Sequence, residues 1–117
     1  MKGTEREHQV ALFAWAKAKE GHYPLLALLY HCPNGGHRHY AVAARMKGEG
    51  VKPGVPDVFL PVARKGYHGW FAEMKSDAGK LSIKQEFWRY HLLAQGYFWA
   101  LFRDWKDAAD SLEDYLK

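Results

Sequence analysis

Hydrophobic and polar positions along the chain alternate between helical and strand-like spacing, and the changes in spacing mark its elements. From Thr4 to Glu20, Val10, Phe13, Ala14 and Lys17 sit at helical spacing, and Thr4 with Glu7 three residues on forms a capping box. A first helix is predicted there, ended by Gly21. After Pro24 the run from Leu25 to Tyr30 is short and apolar on both faces, the pattern of a buried strand. Pro33-Asn34-Gly35-Gly36 predicts a turn, and Tyr40 to Lys47 a short helix closed by Gly48 or Gly50. Pro53-Gly54-Val55-Pro56 makes an irregular entry into a strand from Asp57 to Ala63. A turn at Lys65-Gly66 then leads to a second strand, Gly69 to Lys75, and the two are expected to pair as a hairpin. Ser82 and Gln85 form another capping box, opening a helix that runs to Gln95 and stops at Gly96. The aromatic run Tyr97 to Phe102 reads as a strand, and Asp104 caps a last helix ending at Leu116. The resulting order, α-β-α-β-β-α-β-α, predicts an α/β fold in which helices flank a mixed sheet.

Composition narrows the class. With 117 residues, 48% of them hydrophobic and 15% aromatic, residues 1–117 are expected to form a single domain with its own core. Such a chain is not intrinsically disordered. No stretch approaches the ~20 apolar residues of a membrane span, so no membrane partner is expected. The first seven residues carry two acids and lead into no compact apolar segment, so no signal peptide is expected. The lone cysteine, Cys32, excludes an internal disulfide and fits a reducing, cytoplasmic setting. Net charge is +4, unevenly placed. Residues 104–117 hold two bases and five acids, leaving fifteen bases and eight acids in residues 1–103. A basic body with an acidic tail fits a polyanionic partner such as nucleic acid.

The chemistry-bearing pattern is Pro56-Asp57, then fifteen intervening residues, then Glu73-Met74-Lys75. In a strand, residues i and i+2 share a face, so Glu73 and Lys75 project together while Met74 turns away. If the two strands pair, Asp57 comes to lie beside Glu73. Two carboxylates and a main-chain carbonyl suit a hard cation, Mg²⁺ or Mn²⁺, and an adjacent lysine can orient or deprotonate a water. The alternative is a solvated same-face pair on an edge strand. Against it, an acid here ends the apolar run Trp70-Phe71-Ala72, although acids are disfavoured in strands.

This Asp…Glu-x-Lys pattern resembles the PD-(D/E)xK nuclease superfamily, whose restriction-endonuclease-like core, α-β-β-β-α-β, matches once residues 40–47 are treated as an insertion. More narrowly, the chain resembles the stand-alone VRR-NUC nucleases (virus-type replication-repair nuclease domain). The similar stretches are Glu5-x-x-x-Gln9, Pro33-Asn34-Gly35-Gly36, Ala43-Ala44-Arg45-Met46-Lys47, Gly50 through Asp57, Glu73-Met74-Lys75, and Leu81-Ser82-x-x-Gln85 with Trp88. The resemblance implies that Asp57 and Glu73 hold the metal with the Met74 carbonyl as third ligand, that Lys75 positions the attacking water, and that Gln85 supports the site. Gln85 is also the capping-box partner of Ser82, and either role can occupy it. An acid on the first helix is also implied. Glu7 already serves Thr4, so Glu5, one turn before Gln9, is the choice. The implied activity is a metal-dependent endonuclease acting on branched DNA, with Holliday-junction resolution foremost. The alternatives are a nicking or flap nuclease of replication or repair, or a non-catalytic nucleic-acid-binding subunit.

Three further features bear on partners. His31, Cys32, His37 and His39 cluster around the glycine turn, but their spacing matches no usual zinc pattern. Arg38, Arg45, Lys47 and Lys52, against the single acid Glu49, form a basic segment leading into Asp57 and are candidate DNA-phosphate contacts. Finally, one site cuts one strand, whereas a four-way junction needs two symmetric cuts, so a two-fold homodimer is expected. The strand at residues 97–102, with aromatics on both faces, and Trp105 with the acidic tail offer surface for it.

Overall fold

The computed structural model describes residues 3–34 and 40–117. Helix α1 (Glu5–Lys19) begins where Thr4 Oγ1 accepts from the Glu7 N–H and Glu7 returns a bond to the Thr4 N–H. A 3₁₀ helix (Pro24–Leu28) and a two-residue strand β1 (Tyr30–His31) follow, then α2 (Tyr40–Gly48), β2 (Val58–Leu60) and β3 (Trp70–Met74). The chain closes with α3 (Ile83–Ala94), β4 (Phe98–Phe102) and α4 (Trp105–Leu116). Capping boxes open both α1 and α3, and Asp104 caps α4. At the hairpin turn Lys65 and Gly66 both adopt positive φ, with Arg64 and Tyr67 bridging beneath them.

The element order is the one the spacing predicts, but the first strand is not. The expected strand from Leu25 to Tyr30 is mostly the 3₁₀ helix. Pro24 fixes a helical φ at its start, and only Leu26 and Leu29 are buried, the three-residue period of a 3₁₀ turn, while Leu25 and Leu28 face outward. β2 stops at Leu60 because Pro61 has no N–H to extend the ladder. The glycines of the expected turn at residues 33–36 lie outside the described residues, as do His37, Arg38 and His39.

The sheet order is β1-β2-β3-β4, with the first two pairings antiparallel and β3–β4 parallel. β2 pairs with β3 in the register Val58↔Ala72 and Leu60↔Trp70, which sets Asp57 opposite Glu73. On one face, Trp70, Ala72 and Met74 meet Val58 and Leu60 and are covered by Leu12 and Ala16 of α1 and Ala108, Ala109 and Leu112 of α4. Three long-range bonds among the described residues hold α4 there, one of them donated by the Trp70 indole N–H to Ser111 Oγ at 3.0 Å. Tyr115 donates its hydroxyl to the Val62 carbonyl at 2.6 Å, and the buried His8 Nδ1 accepts the Trp105 N–H at 3.1 Å. The other face carries Phe71, stacked on Phe59, and Trp99, over which the Arg89 guanidinium of α3 lies. β3 is buried along its whole length, whereas β4, at the sheet edge, is half-buried throughout.

Candidate active site

A cavity of about 610 Å³ opens where the mouth of the β2–β3 hairpin meets the start of α1 and the start of α3. Its walls include Glu5 and Arg6 from α1, Asp57 from the entry to β2, Glu73 and Lys75 from the end of β3, and Gln85 from α3. Glu5, Asp57, Glu73, Lys75 and Gln85, far apart in the chain, thus face one space.

The hydrogen bonds explain how it is held. Asp57 Oδ2 accepts the Met74 N–H at 2.7 Å, and Oδ1 accepts Asn34 Nδ2 at 2.9 Å, which fixes the carboxylate between two strands and the preceding loop. From behind, the Asp57 carbonyl accepts the Cys32 N–H, and His31 Nδ1 lies 2.8 Å from it. Gln85 divides its amide. Its Oε1 accepts the Ser82 N–H at 2.8 Å, completing the capping box, while Nε2 donates to Glu73 Oε2 at 3.3 Å. One side chain thus serves the helix cap and reaches Glu73 at the same time. Glu7 is engaged at the cap of α1, and Glu5 is the acid turned to the cavity. Gly54 sets the height of α3 above the site. Its φ is +92°, and a Cβ there would come within 2.6 Å of the Lys84 main chain, so only glycine lets the loop and the helix touch.

Glu73 is the electrostatic focus. It is 1% exposed, and its Oε1 finds no hydrogen-bond partner among the described residues. Burial, then the adjoining Asp57 carboxylate, push its carboxyl up to about 10. Lys75 offsets this in part, and Glu5 adds to it. A buried carboxyl with an idle oxygen beside a second carboxylate is a donor set that a hard cation would satisfy. Among the described residues no three His, Cys, Asp or Glu side chains converge as metal ligands. What the cavity offers such a cation is the pair of carboxylates, Asp57 and Glu73.

The domain model of one family matches residues 3–104, a stretch that runs from before α1 through β4 and contains every cavity residue. The chain belongs to the VRR-NUC family. A solved structure described as a "VRR_NUC domain protein" superposes with a TM-score of 0.80 at 27% identity, covering 98% of this chain and 89% of that one. No curated protein matches the chain. VRR-NUC is a nuclease family, and the mixed sheet flanked by helices is consistent with its restriction-endonuclease-like fold.

The structure brings the remaining predicted residues only partly to this place. Met74 sends its side chain into the core and its N–H to Asp57. Lys47 and Lys52 line a neighbouring groove rather than the cavity, and Arg45 is exposed on α2. Arg38 lies outside the described residues. Trp99 sits beneath Arg89 and Trp105 packs against the core, so both have partners within the chain. Asn34 is a cavity residue that sequence reasoning treats only as part of a turn. The signal was an amide side chain next to paired glycines, which points equally well to a local backbone bond. Arg6 was likewise missed.

Proposed function

We propose that this chain is a Mg²⁺- or Mn²⁺-dependent endodeoxyribonuclease that hydrolyses phosphodiester bonds in branched DNA, Holliday junctions foremost. The observation that carries the reading is the meeting of Asp57, Glu73 and Lys75 in the lining of one cavity, with an oxygen of Glu73 that has no hydrogen-bond partner among the described residues. Asp57 and Glu73, with the Met74 carbonyl, would hold the cation. When bound, such a cation acidifies water and neutralises charge on the phosphate.

The chain's own residues supply positioning and charge. Lys75, on the same strand face as Glu73, orients the attacking water and adds positive charge beside the phosphate. The water oxygen bonds to phosphorus as the ester P–O bond opposite it breaks, leaving a phosphate monoester and a free hydroxyl. Gln85 and Asn34 keep the two carboxylates in place, each by a hydrogen bond. Glu5 faces the same space as the acid of the first helix, and Arg6 adds a cation to the cavity wall. Lys52, Lys47 and Arg45 extend the positive field along the incoming strand, and Arg38 is a candidate phosphate contact on its place in the sequence alone.

The working form we propose is a two-fold homodimer, since two equal sites are needed to cut a junction symmetrically. The support is β4, a half-buried strand at the sheet edge whose one strand neighbour among the described residues is β3. All of residues 1–117 belong to the working domain in this reading, because α4, beyond the matched stretch, closes the core. A reducing, cytoplasmic setting suits Cys32, whose thiol is pushed by burial and by Asp57 up to about 11 and so stays protonated. No helix among the described residues is long and apolar enough to cross a membrane.

The test is incubation of the purified protein with linear, nicked, flap, fork and four-way DNA in Mg²⁺ or Mn²⁺, beside Lys75→Ala. Paired incisions in the four-way substrate, absent in the variant, are expected. Preference for a flap or nick would move the substrate assignment, and no cleavage of any DNA would end the enzymatic reading.

A further inference from the structure

Beside the catalytic cavity lies a second hollow of about 580 Å³, within the usual size range of ligand sites. Lys47 of α2 and Lys52 form one side, and Ile83, Lys84, Phe87 and Trp88 of α3 the other. Three lysines and no acid line it. The apolar residues facing it are unusually bare. Ile83 is 89% and Phe87 56% exposed, and no residue of α3 is buried. Trp88, half-buried, stands edge-on to Phe87. The two hollows adjoin, since Pro53 lines both and the Lys84 main chain rests against Gly54 of the catalytic cavity.

We propose that this groove holds an unpaired nucleotide of the DNA next to the scissile phosphate, its base stacked on Phe87 and its flanking phosphates on Lys47, Lys52 and Lys84. This rests on the nuclease reading of the cavity and adds to it what the enzyme selects. A base within a duplex has both faces covered by its neighbours and cannot lie on a protein ring. Only a nucleotide freed at a branch, gap or overhang can. The groove thereby makes an interrupted helix, rather than a sequence, the feature recognised. A second copy of this chain is the rival occupant. Packed groove to groove about a two-fold axis it would bury three lysines against their own kind, and interface centres are in any case depleted of lysine. A phosphate backbone meets the same charges favourably.

The test uses the full chain in EDTA, so that binding is read without cleavage. The probes are a fluorescent oligothymidylate of about 12 nucleotides and a chain of equal length made of abasic nucleotides. The wild type is expected to bind the base-bearing chain at least about fivefold more tightly, and Phe87→Ala to remove that preference. Phe87→Leu, which keeps the apolar area without the aromatic face, should also lose most of it. The Lys47→Ala, Lys52→Ala double variant should weaken both probes alike and flatten the salt dependence. Equal binding of the two probes by the wild type, or an unchanged preference in Phe87→Ala, would overturn the proposal. So would a shift from dimer to monomer in Phe87→Ala with the preference intact, since a second copy would then be what covers the groove. A protein that cuts no DNA yet keeps the base preference would refute the nuclease reading and leave the groove standing.

Discussion

Replacing Glu73 with Gln should make the metal-free protein more stable, by an amount that grows with pH. In the unfolded chain the carboxyl gives up its proton near 4.5, whereas in the fold it holds it to about 10. Between those values the folded state binds more protons than the unfolded, so stability falls as pH rises. The contribution is fully present below about 4.5 and is lost through the window up to about 10. Each pH unit costs about 1.4 kcal/mol, so by pH 7 the loss is on the order of 3 kcal/mol, or ~10 °C in Tm for a domain of this size. Gln mimics the protonated acid. Its carbonyl can still accept from Gln85 Nε2, its amide can donate to Asp57, and it has no proton to lose. Thermal unfolding in EDTA should show the two proteins melting together near pH 5 and separating steadily towards pH 8, with Glu73→Gln the higher. Mn²⁺ should close that gap by raising the wild type alone, and should raise it more at higher pH. Parallel pH profiles in EDTA would refute the electrostatic account of Glu73, and an equal Mn²⁺ shift in both proteins would refute its role as a ligand.

Other perturbations separate structure from chemistry. Glu5→Gln should lower the cleavage rate without changing Tm, while Glu7→Gln, which can rebuild the capping box, should leave both nearly intact; the reverse pattern in a cleavage assay would exchange the two roles. Gly54→Ala forces a side chain against the Lys84 main chain at positive φ and should cost at least about 2 kcal/mol in urea unfolding. Arg103 donates to the Ser76 and Gly79 carbonyls, clamping the loop against Lys75; Arg103→Ala should lower kcat several-fold with KM little changed and stability reduced by about 1 kcal/mol. A change in KM alone would mean that Arg103 contacts DNA instead.

The parts of the fold legible in the sequence are those written in local chemistry. Thr4 with Glu7 and Ser82 with Gln85 mark two helix starts because a capping box lies within four consecutive residues. Asp57 and Glu73-x-Lys75 are legible because strand alternation fixes which residues share a face, and the register then sets the first two opposite each other. What was not legible depends on distance or on three-residue spacing. Leu25 to Tyr30 looks like a buried strand until burial shows that only every third residue turns inward. His8 gives no sign that it will accept from Trp105, nor Asn34 that it will reach Asp57, because both partners arrive through tertiary packing. The groove at Phe87 was equally hidden, since an exposed aromatic on an amphipathic helix reads as core until the helix is seen to bury nothing.

The central claim is that Asp57, Glu73 and Lys75 form a nuclease centre, and single-turnover cleavage of a labelled four-way junction in Mn²⁺ tests it most directly. Asp57→Asn and Lys75→Ala should each cut at least about a hundredfold more slowly than the wild type, while in EDTA Asp57→Asn binds the same junction as tightly as the wild type or more so and Lys75→Ala, having lost a cation, binds it somewhat more weakly. Cleavage at the wild-type rate by either variant would contradict the account.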